Sequence, residues 1–260
     1  MDLGARFICM RLKNSVKCGD CMVTCIVQAR MGSSRLKGKV LRDIIGYPLI
    51  LLNLKRLERA TSIDQLIMAT SNKAEDDPLC DVVKAAGFMV FRGDEDNVLK
   101  RYHDCVMEYG GDIIVRVTGD CPLIDPNIAD SIISQYQLQD YDYVRLDVPD
   151  TFIRGFDVEV FSREALMKTF ELVDEDRYKE HVTAYIYNHP DQFSIGKVYG
   201  DSRFIKDYRL CVDTIEDFIL ASRIFEHFND IYVPADVVVD FLDKNPNIAE
   251  INKEVLQKNV

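Results

Sequence analysis

The sequence lacks the apolar segments that would direct a chain into or across a membrane. No run approaches the roughly 18 apolar residues of a membrane-spanning helix. The first 22 residues carry scattered cations but no apolar segment of signal-peptide length. We therefore expect no membrane span and no secretion, and we expect the protein to be cytoplasmic.

Two familiar nucleotide-binding motifs are also absent. The sequence contains neither GxxxxGK[ST], the loop of P-loop enzymes, nor GxGxxG, the dinucleotide fingerprint. The formal net charge of −11 and a pI near 4.9 leave no basic face that could follow a nucleic acid backbone. We therefore expect no nucleic acid partner.

Cysteines are present but lack the pairing that is typical of a metal site. Cys18, Cys21 and Cys25 have the spacing C-x2-C-x3-C, yet no second CxxC pair and no HxxxH occurs in the sequence. Cys25 lies in the apolar run VTCIVQA, where a small buried thiol is ordinary. A structural metal here is therefore the weaker interpretation. We predict that residues 1–21 form a disordered N-terminal extension and that 22–260 form a single domain.

Short apolar runs alternate with amphipathic helical patterns along the chain. This alternation predicts βαβ units and an α/β fold, with a mostly parallel, Rossmann-like sheet flanked by helices. Residues 146–156 are the least regular stretch and are our candidate for a small dimerisation or substrate element. The predicted strands are 23–29, 64–70, 88–91, 112–117, 141–145, 156–161, 193–199 and 208–212. The predicted helices are 48–60, 76–86, 96–109, 126–138, 163–173, 176–188, 215–228 and 235–243.

One short segment is basic although the chain as a whole is acidic. Residues 26–42 read IVQARMGSSRLKGKVLR, and this Gly/Ser-rich loop follows the first predicted strand. Exposed backbone N–H groups and cationic side chains are suited to a phosphate group. The segment therefore predicts a site for a small anion. Its cations are Arg30, Arg35, Lys37, Lys39 and Arg42.

Two aspartates follow other predicted strands of the same sheet. Asp120 comes after 112–117, and Asp213 comes after 208–212. Ligands of open α/β sheets collect at the carboxyl ends of the strands, and Mg²⁺ prefers one or two carboxylates with phosphate oxygens. The loop and the two acids together predict a nucleoside triphosphate site. The alternative for each aspartate is a helix N-cap, which for Asp213 would serve the helix that begins near residue 215.

The order of several short motifs resembles the cytidylyltransferase family, which includes the synthetases of CMP-3-deoxy-manno-octulosonate and CMP-sialic acid. The resemblance runs from about residue 23 to 228 and is greatest to the branch of the spore-coat polysaccharide biosynthesis protein F. One departure is visible, because Lys37 replaces the proline that is usual in RLPGK. The motifs are QARMGSSRLKGKVL, ATS, FRGDEDNVLKRY, VRVTGDCPLIDP, RGFDVEVF, EHVTAYI and RLCVDTIEDF.

The resemblance implies a nucleotidyltransferase fold, CTP and Mg²⁺ as ligands, and a homodimer. It implies that Lys39, Arg30 and Asp120 are catalytic and that Asp120 and Asp213 hold the metal. The other residues implied to bind the nucleotide are Ser33, Arg35, Thr70, Ser71 and Arg92, and those implied to face the acceptor are Asp157, Glu159, Glu180 and His181.

The reaction that follows is attack by a hydroxyl or a phosphate oxygen of the acceptor on the α-phosphorus of CTP, with pyrophosphate leaving. An acidic sugar in surface polysaccharide synthesis is the first choice of acceptor, and a phosphorylated small alcohol is the second. Arg116, Arg145 and Arg154 are equal candidates for its anionic group. Two alternative functions stay open. One is a glycosyltransferase that uses Asp140 and Asp142 as a DxD metal-binding pair, and the other is a protein that binds a nucleotide without catalysing a reaction.

Overall fold

A computed structural model describes residues 21–257, so Cys9, Cys18 and nearly all of the predicted 1–21 extension lie outside the described residues. Strands and helices alternate along this part of the chain, as predicted. The strands are Val23–Gln28 (β1), Asp43–Ile44 (β2), Tyr47–Pro48 (β3), Gln65–Ser71 (β4), Met89–Gly93 (β5), Ile113–Thr118 (β6), Tyr143–Leu146 (β7), Glu159–Ser162 (β8) and Ile195–Val198 (β9). The α-helices are Leu49–Leu57 (α1), Asp77–Ala85 (α2), Val98–Tyr109 (α3), Pro126–Leu138 (α4), Arg163–Leu172 (α5), Asp176–Glu180 (α6), Ala184–Asn188 (α7), Ile215–Phe228 (α8), Ala235–Lys244 (α9) and Pro246–Ala249 (α10).

Within residues 21–257, seven of the strands form one sheet in the order β5-β4-β1-β6-β8-β7-β9. β8 runs antiparallel to both of its neighbours, and every other pair in the sheet is parallel. β2 and β3 form a separate antiparallel hairpin. The predicted fold class, a mostly parallel sheet flanked by helices, is confirmed.

The central strands are apolar on both faces because helices cover both. In β1, Cys25 and Val27 face a core formed with α1, α4, α8 and α9. Ile26 points the opposite way into a core formed with α3, α5 and α7. This two-sided burial explains why β1 is a continuous apolar run instead of an alternating one.

Two predicted elements differ in the structure. Residues 208–212 do not join the sheet: they form an isolated bridge from Arg209 to Arg154, and Val212 N–H donates to the carbonyl of Asp120 at 2.8 Å. The predicted helix 176–188 is broken into α6 and α7, so that His181 lies between them. The break lets the Thr183 hydroxyl turn toward the sheet and donate to Glu159 at 2.9 Å.

Among residues 21–257, no helix is both long enough and apolar enough to cross a membrane.

Candidate active site

The basic loop folds back on itself directly after β1. Gly38 has a φ of 64°, in the left-handed region that favours glycine, and Gly38 N–H donates to the carbonyl of Met31 at 3.3 Å. A 3₁₀ turn, Lys39–Leu41, begins at the next residue. The turn buries Lys39, whereas Lys37 two positions earlier stays exposed.

The ammonium of Lys39 bridges Asp120, which follows β6, and Asp213, which follows the segment 208–212. Its Nζ lies 2.7 Å from Asp120 Oδ2 and 2.8 Å from Asp213 Oδ1, and it also donates to the carbonyl of Val212 at 2.8 Å. Lys39 is 8% exposed, so this cation is removed from most of the solvent. Burial disfavours its charge, but the two carboxylates outweigh burial and raise the pKa of Lys39.

Asp120 is correspondingly held in its charged form. Burial raises its pKa, but the charge and hydrogen bond of Lys39, together with a hydrogen bond from Thr118, outweigh burial and lower the pKa of Asp120 below its usual value. The carboxylate of Asp120 is therefore ionised at neutral pH. It does not cap a helix, because Asp125 caps α4.

Asp213 does not cap a helix either, which removes the alternative interpretation of this residue. Thr214 is the N-cap of α8, and its side chain forms a capping box with Asp217. The Asp213 carboxylate instead forms ion pairs: Arg35 lies 2.8 Å from its Oδ2 and Arg209 lies 2.5 Å from the same atom. With Lys39, three cations surround one carboxylate.

A cavity of about 370 Å³ opens above the loop. The backbone at Gly119 lies close to the side chain of Ala29, because a Cβ on Gly119 would lie only 2.8 Å from the Cβ of Ala29. A larger cavity of about 750 Å³ adjoins it, and the two share Arg35, Asp120 and Asp213 in their walls. We call them the loop cavity and the sheet cavity. The predicted residues in the wall of the loop cavity are Arg30, Ser33, Arg35, Lys39, Asp120, Asp213, Glu180 and His181.

The predicted acceptor residues all line the sheet cavity, but their side chains differ in how many hydrogen bonds they already accept from the protein. Glu159 accepts from Arg116, the Tyr143 hydroxyl and the Thr183 hydroxyl, so both of its oxygens are occupied. Asp157 accepts the Gly155 N–H at 2.7 Å. Burial raises the pKa of Asp157. The hydrogen bond from Gly155 and the charge of Arg154 lower it by less, and the charges of Glu159 and Asp120 add to the rise.

Glu180 and His181 lie where the loop cavity and the sheet cavity meet. Glu180 Oε1 lies 3.8 Å from Arg30 Nη2, which links the end of α6 to the basic loop. Burial lowers the pKa of His181, so the ring is neutral at neutral pH. His181 does not lie within a continuous helix, as the predicted helix 176–188 would require, because the helix is broken there.

Thr70, Ser71 and Arg92 do not reach either cavity in the described part of the chain. The hydroxyls of Thr70 and Ser71 donate to Asp76 at 2.8 and 2.5 Å, and Arg92 pairs with Asp77 at 2.5 Å. Asp76 also accepts the Met31 N–H at 2.7 Å. Thr70 and Ser71 therefore support the basic loop through Asp76, and Arg92 pairs with the start of α2.

Several residues of the site carried no clear sequence signal. Gln28 and Arg101 line the loop cavity, and Arg101 donates to the carbonyls of Asp94 and Glu95 at 2.9 Å. Asp217 accepts the N–H of Asp213 at 2.9 Å and holds Arg209 at 3.1 Å. The Thr-x-x-Asp spacing of a capping box was the one available sign of Asp217.

The pair Asp120 and Asp213 fits Mg²⁺ by the chemistry of its donors. Both carboxylates lie within 2.8 Å of one ammonium, so they already share a single cation, and Mg²⁺ is commonly bound by one or two carboxylates with phosphate oxygens. Among residues 21–257, no group of three or more His, Cys, Asp or Glu side chains is arranged to hold a metal ion. Cys21 and Cys25 are free thiols, and Cys18 lies outside the described residues.

Comparison with known proteins gives three findings. The model of the family described as Cytidylyltransferase matches residues 24–251. The spore coat polysaccharide biosynthesis protein SpsF of Bacillus subtilis is 35% identical over 233 residues, which are 86% of this chain and 95% of that protein. The structure of a cytidylyltransferase from Leptospira borgpetersenii superposes with a TM-score of 0.84 at 29% identity, covering 92% of this chain and all of that one.

A more distant relative is similar to half of the chain. The 3-deoxy-manno-octulosonate cytidylyltransferase of Geobacter sulfurreducens is 33% identical over 114 residues, which are 43% of this chain and 44% of that enzyme.

Proposed function

This chain belongs to the cytidylyltransferase family, and from that premise we propose that it transfers CMP from CTP to an acidic sugar and releases pyrophosphate. The observation that carries the proposal is the position of Asp120 and Asp213, which line both cavities and are bridged by Lys39 from the loop cavity. A group bound in the loop cavity and a group bound in the sheet cavity would meet at these two aspartates. That is the arrangement a transfer between two substrates requires.

The triphosphate of CTP occupies the loop cavity in this proposal. Arg30, Ser33 and Arg35 contact the outer phosphates, and Lys39 stabilises the charge that develops at the α-phosphate. Asp120 and Asp213 would hold Mg²⁺, which when bound neutralises phosphate charge. The density of cations in an otherwise acidic protein is then explained by the charge of its substrate.

The acceptor occupies the sheet cavity, and its oxygen attacks the α-phosphorus in line with the departing pyrophosphate. The new bond joins that oxygen to phosphorus, and the bond from phosphorus to the bridging oxygen of the pyrophosphate breaks. When the attacking group is a hydroxyl, its proton ends on the departing pyrophosphate. Asp157, Glu180 and His181 surround the acceptor. Glu159 acts through Arg116, because its own oxygens are occupied.

The relatives support the class of acceptor and the setting. The Geobacter relative is a 3-deoxy-manno-octulosonate cytidylyltransferase, and SpsF is named for spore coat polysaccharide biosynthesis. We propose that this chain likewise activates an acidic sugar for a surface polysaccharide, and that it acts as a homodimer.

The test combines nucleotide binding with pyrophosphate release. We expect CTP with Mg²⁺ to raise the melting temperature more than UTP, ATP or GTP, since a ligand at about 100 times its Kd stabilises a protein by about 2.7 kcal/mol. We expect pyrophosphate release to require both CTP and an acceptor. We expect Asp120→Asn to abolish the pyrophosphate release that Mg²⁺ supports in the wild type. Full turnover of Asp120→Asn, with its Mg²⁺ dependence intact, would contradict the metal assignment.

The glycosyltransferase alternative has less support. Its metal pair would be Asp140 and Asp142, but Asp142 accepts the N–H and the hydroxyl of Ser194 at 2.8 and 3.0 Å. Within residues 21–257, neither aspartate lines the loop cavity or the sheet cavity. Stabilisation by CDP- or UDP-sugars but not by CTP would favour this alternative.

A further inference from the structure

The wall of the sheet cavity contains four arginines, and three of them pair with carboxylates of the same wall. Arg35 pairs with Asp213 at 2.8 Å, and Arg154 lies 3.7 Å from Asp157. Arg116 pairs with Glu159 and donates to Gln28 at 3.1 Å. The fourth arginine in the wall, Arg145, is different in kind.

The guanidinium of Arg145 forms no hydrogen bond and no ion pair with any residue in the range 21–257. Its Nε is buried and has no hydrogen-bond partner. Its guanidinium carbon lies 4.9 Å from the centre of the Tyr187 ring, so one face of the group rests on an aromatic platform. Both residues line the sheet cavity.

The neighbouring residues cannot supply the missing partner, because they are already engaged. Arg145 lies on β7, directly opposite Glu159 on β8 and Lys197 on β9. Both oxygens of Glu159 are occupied by Arg116, Tyr143 and Thr183. The charge of Lys197 is paired with Asp147 at 2.7 Å.

An arginine left unpaired in a polar cavity has a planar set of donors available for an anion. Carboxylate and phosphate groups accept from such a guanidinium in a bidentate manner. Burial of Nε without a partner costs free energy, which a bound anion would recover. The aromatic ring holds the guanidinium in one plane and so reduces the entropy lost on binding.

We propose that Arg145, supported by Tyr187, binds an anionic group of the acceptor. The inference rests on the proposed function only in naming the ligand as the acceptor. It selects Arg145 from the three arginines that the sequence left equal. It also requires the acceptor to be an acid, so that a neutral sugar is not a substrate.

Direct binding measurements test the subsite without relying on turnover. Isothermal titration in the presence of CTP, with Mg²⁺ omitted to prevent turnover, would use three probes: 3-deoxy-manno-octulosonate as the carboxylate, glycerol 3-phosphate as the phosphate, and mannose as the neutral sugar. We expect wild-type protein to bind one of the two anions and not mannose. The anion that binds identifies whether the natural acceptor carries a carboxylate or a phosphate.

Substitution then links that binding to Arg145. Arg145→Gln should raise the Kd of the bound anion about 10- to 100-fold, the range of a charge-assisted hydrogen-bonded pair. Arg145→Lys should recover part of the loss, since it retains the charge without the bidentate geometry. Tyr187→Leu should weaken binding less than Arg145→Gln does. The CTP-induced rise in melting temperature should stay unchanged in all three variants, which shows that they are folded.

Arg223→Gln is the matched control, because Arg223 is exposed on α8 and, within residues 21–257, pairs only with Glu226 at 3.3 Å. It should bind the anion as the wild type does. Equal affinity of wild type and Arg145→Gln for the anions, or tight binding of mannose, would overturn the inference. Binding of the anion through Arg145 without pyrophosphate release from CTP would leave the subsite standing and would contradict the proposed function instead.

Discussion

Removal of the Lys39 ammonium would leave Asp120 and Asp213 facing each other without the cation that now lies between them. Lys39→Met keeps the length of the side chain and removes the charge. We expect turnover to fall about 10²- to 10³-fold, as for the loss of one contact to a developing oxyanion. We also expect Mg²⁺ alone to raise the melting temperature of the variant more than that of the wild type. In the wild type the ammonium competes for the same two carboxylates.

The control for this prediction lies in the same loop. Lys37→Met removes an exposed lysine that does not line either cavity in the described part of the chain. It should leave the response to Mg²⁺ as it is in the wild type. The same Mg²⁺-induced shift in Lys39→Met and wild type would show that the metal binds elsewhere.

At the scale of the element, the basic loop is fixed by a carboxylate outside it. Asp76, 2% exposed, accepts the N–H of Met31 and the hydroxyls of Thr70 and Ser71. It thereby joins the loop after β1 to the end of β4 and the start of α2. Burial raises its pKa, but the hydrogen bonds from Ser71, Met31 and Thr70 outweigh burial and lower the pKa of Asp76 below 3.8.

Asp76→Asn should therefore destabilise the protein in a pH-dependent way. At pH 7 we expect a loss of about 2 kcal/mol, because an amide cannot accept all of these hydrogen bonds. A carboxylate with a lowered pKa in the folded state stabilises the fold fully above its unfolded-state value of 3.8. That contribution is lost as the pH falls through the folded-state pKa. The difference between variant and wild type should thus shrink below about pH 3.8.

Urea unfolding at several pH values would measure this difference. Asp77→Asn is the matched control, because it removes the exposed neighbouring carboxylate that pairs with Arg92. Its effect should stay below about 1 kcal/mol at pH 7. A loss in Asp76→Asn that does not change between pH 7 and pH 3 would mean that the charge of Asp76 does not contribute.

For the whole molecule, most of the sheet could be predicted from the sequence. β1, β4 and β6 are apolar runs followed by polar residues, and their parallel direction follows from the intervening helices, whereas their order in the sheet was not predicted. The segment 208–212 has the same apolar pattern but lies outside the sheet. Leu210, Cys211 and Val212 are apolar because they pack into the core beside Asp120, and an apolar pattern records burial without recording hydrogen-bond partners.

The site was predictable where charge and strand ends coincide. The basic loop, Asp120 and Asp213 do meet, although only the loop and Asp120 follow strands of the sheet, and Asp213 follows the segment 208–212 outside it. Thr70 and Ser71 also end a strand, but whether a hydroxyl faces a cavity or a buried carboxylate depends on Asp76, five residues further on. Asp217 and Arg101 were not predictable, because their roles depend on backbone groups that only the folded chain brings near.

A residue near the end of the described chain also supports the site. Asn252, 3% exposed, donates to the carbonyl of Arg209 at 2.9 Å and to Asp217 at 2.7 Å. Asp217 in turn accepts the N–H of Asp213 at 2.9 Å. Asn252 therefore positions Asp213 without touching either cavity itself. In the proposed metal site Asp217 is the hydrogen-bond partner of Asp213, and disturbing the partner of a metal ligand typically changes metal affinity or activity about 10- to 100-fold.

Asn252→Ala and Asn245→Ala separate this positioning role from a loss of stability. Asn245 likewise donates its side-chain amide to a carbonyl, that of Phe241 at 2.8 Å, but at the end of α9 and away from the site. Both variants should lose about 1–3 kcal/mol of unfolding free energy. Only Asn252→Ala should need about 10-fold more Mg²⁺ for half-maximal pyrophosphate release, because its Asp213 is no longer fixed. Equal Mg²⁺ requirements in the two variants would restrict Asn252 to a structural role, and the cations around Asp213 would then suffice to orient it.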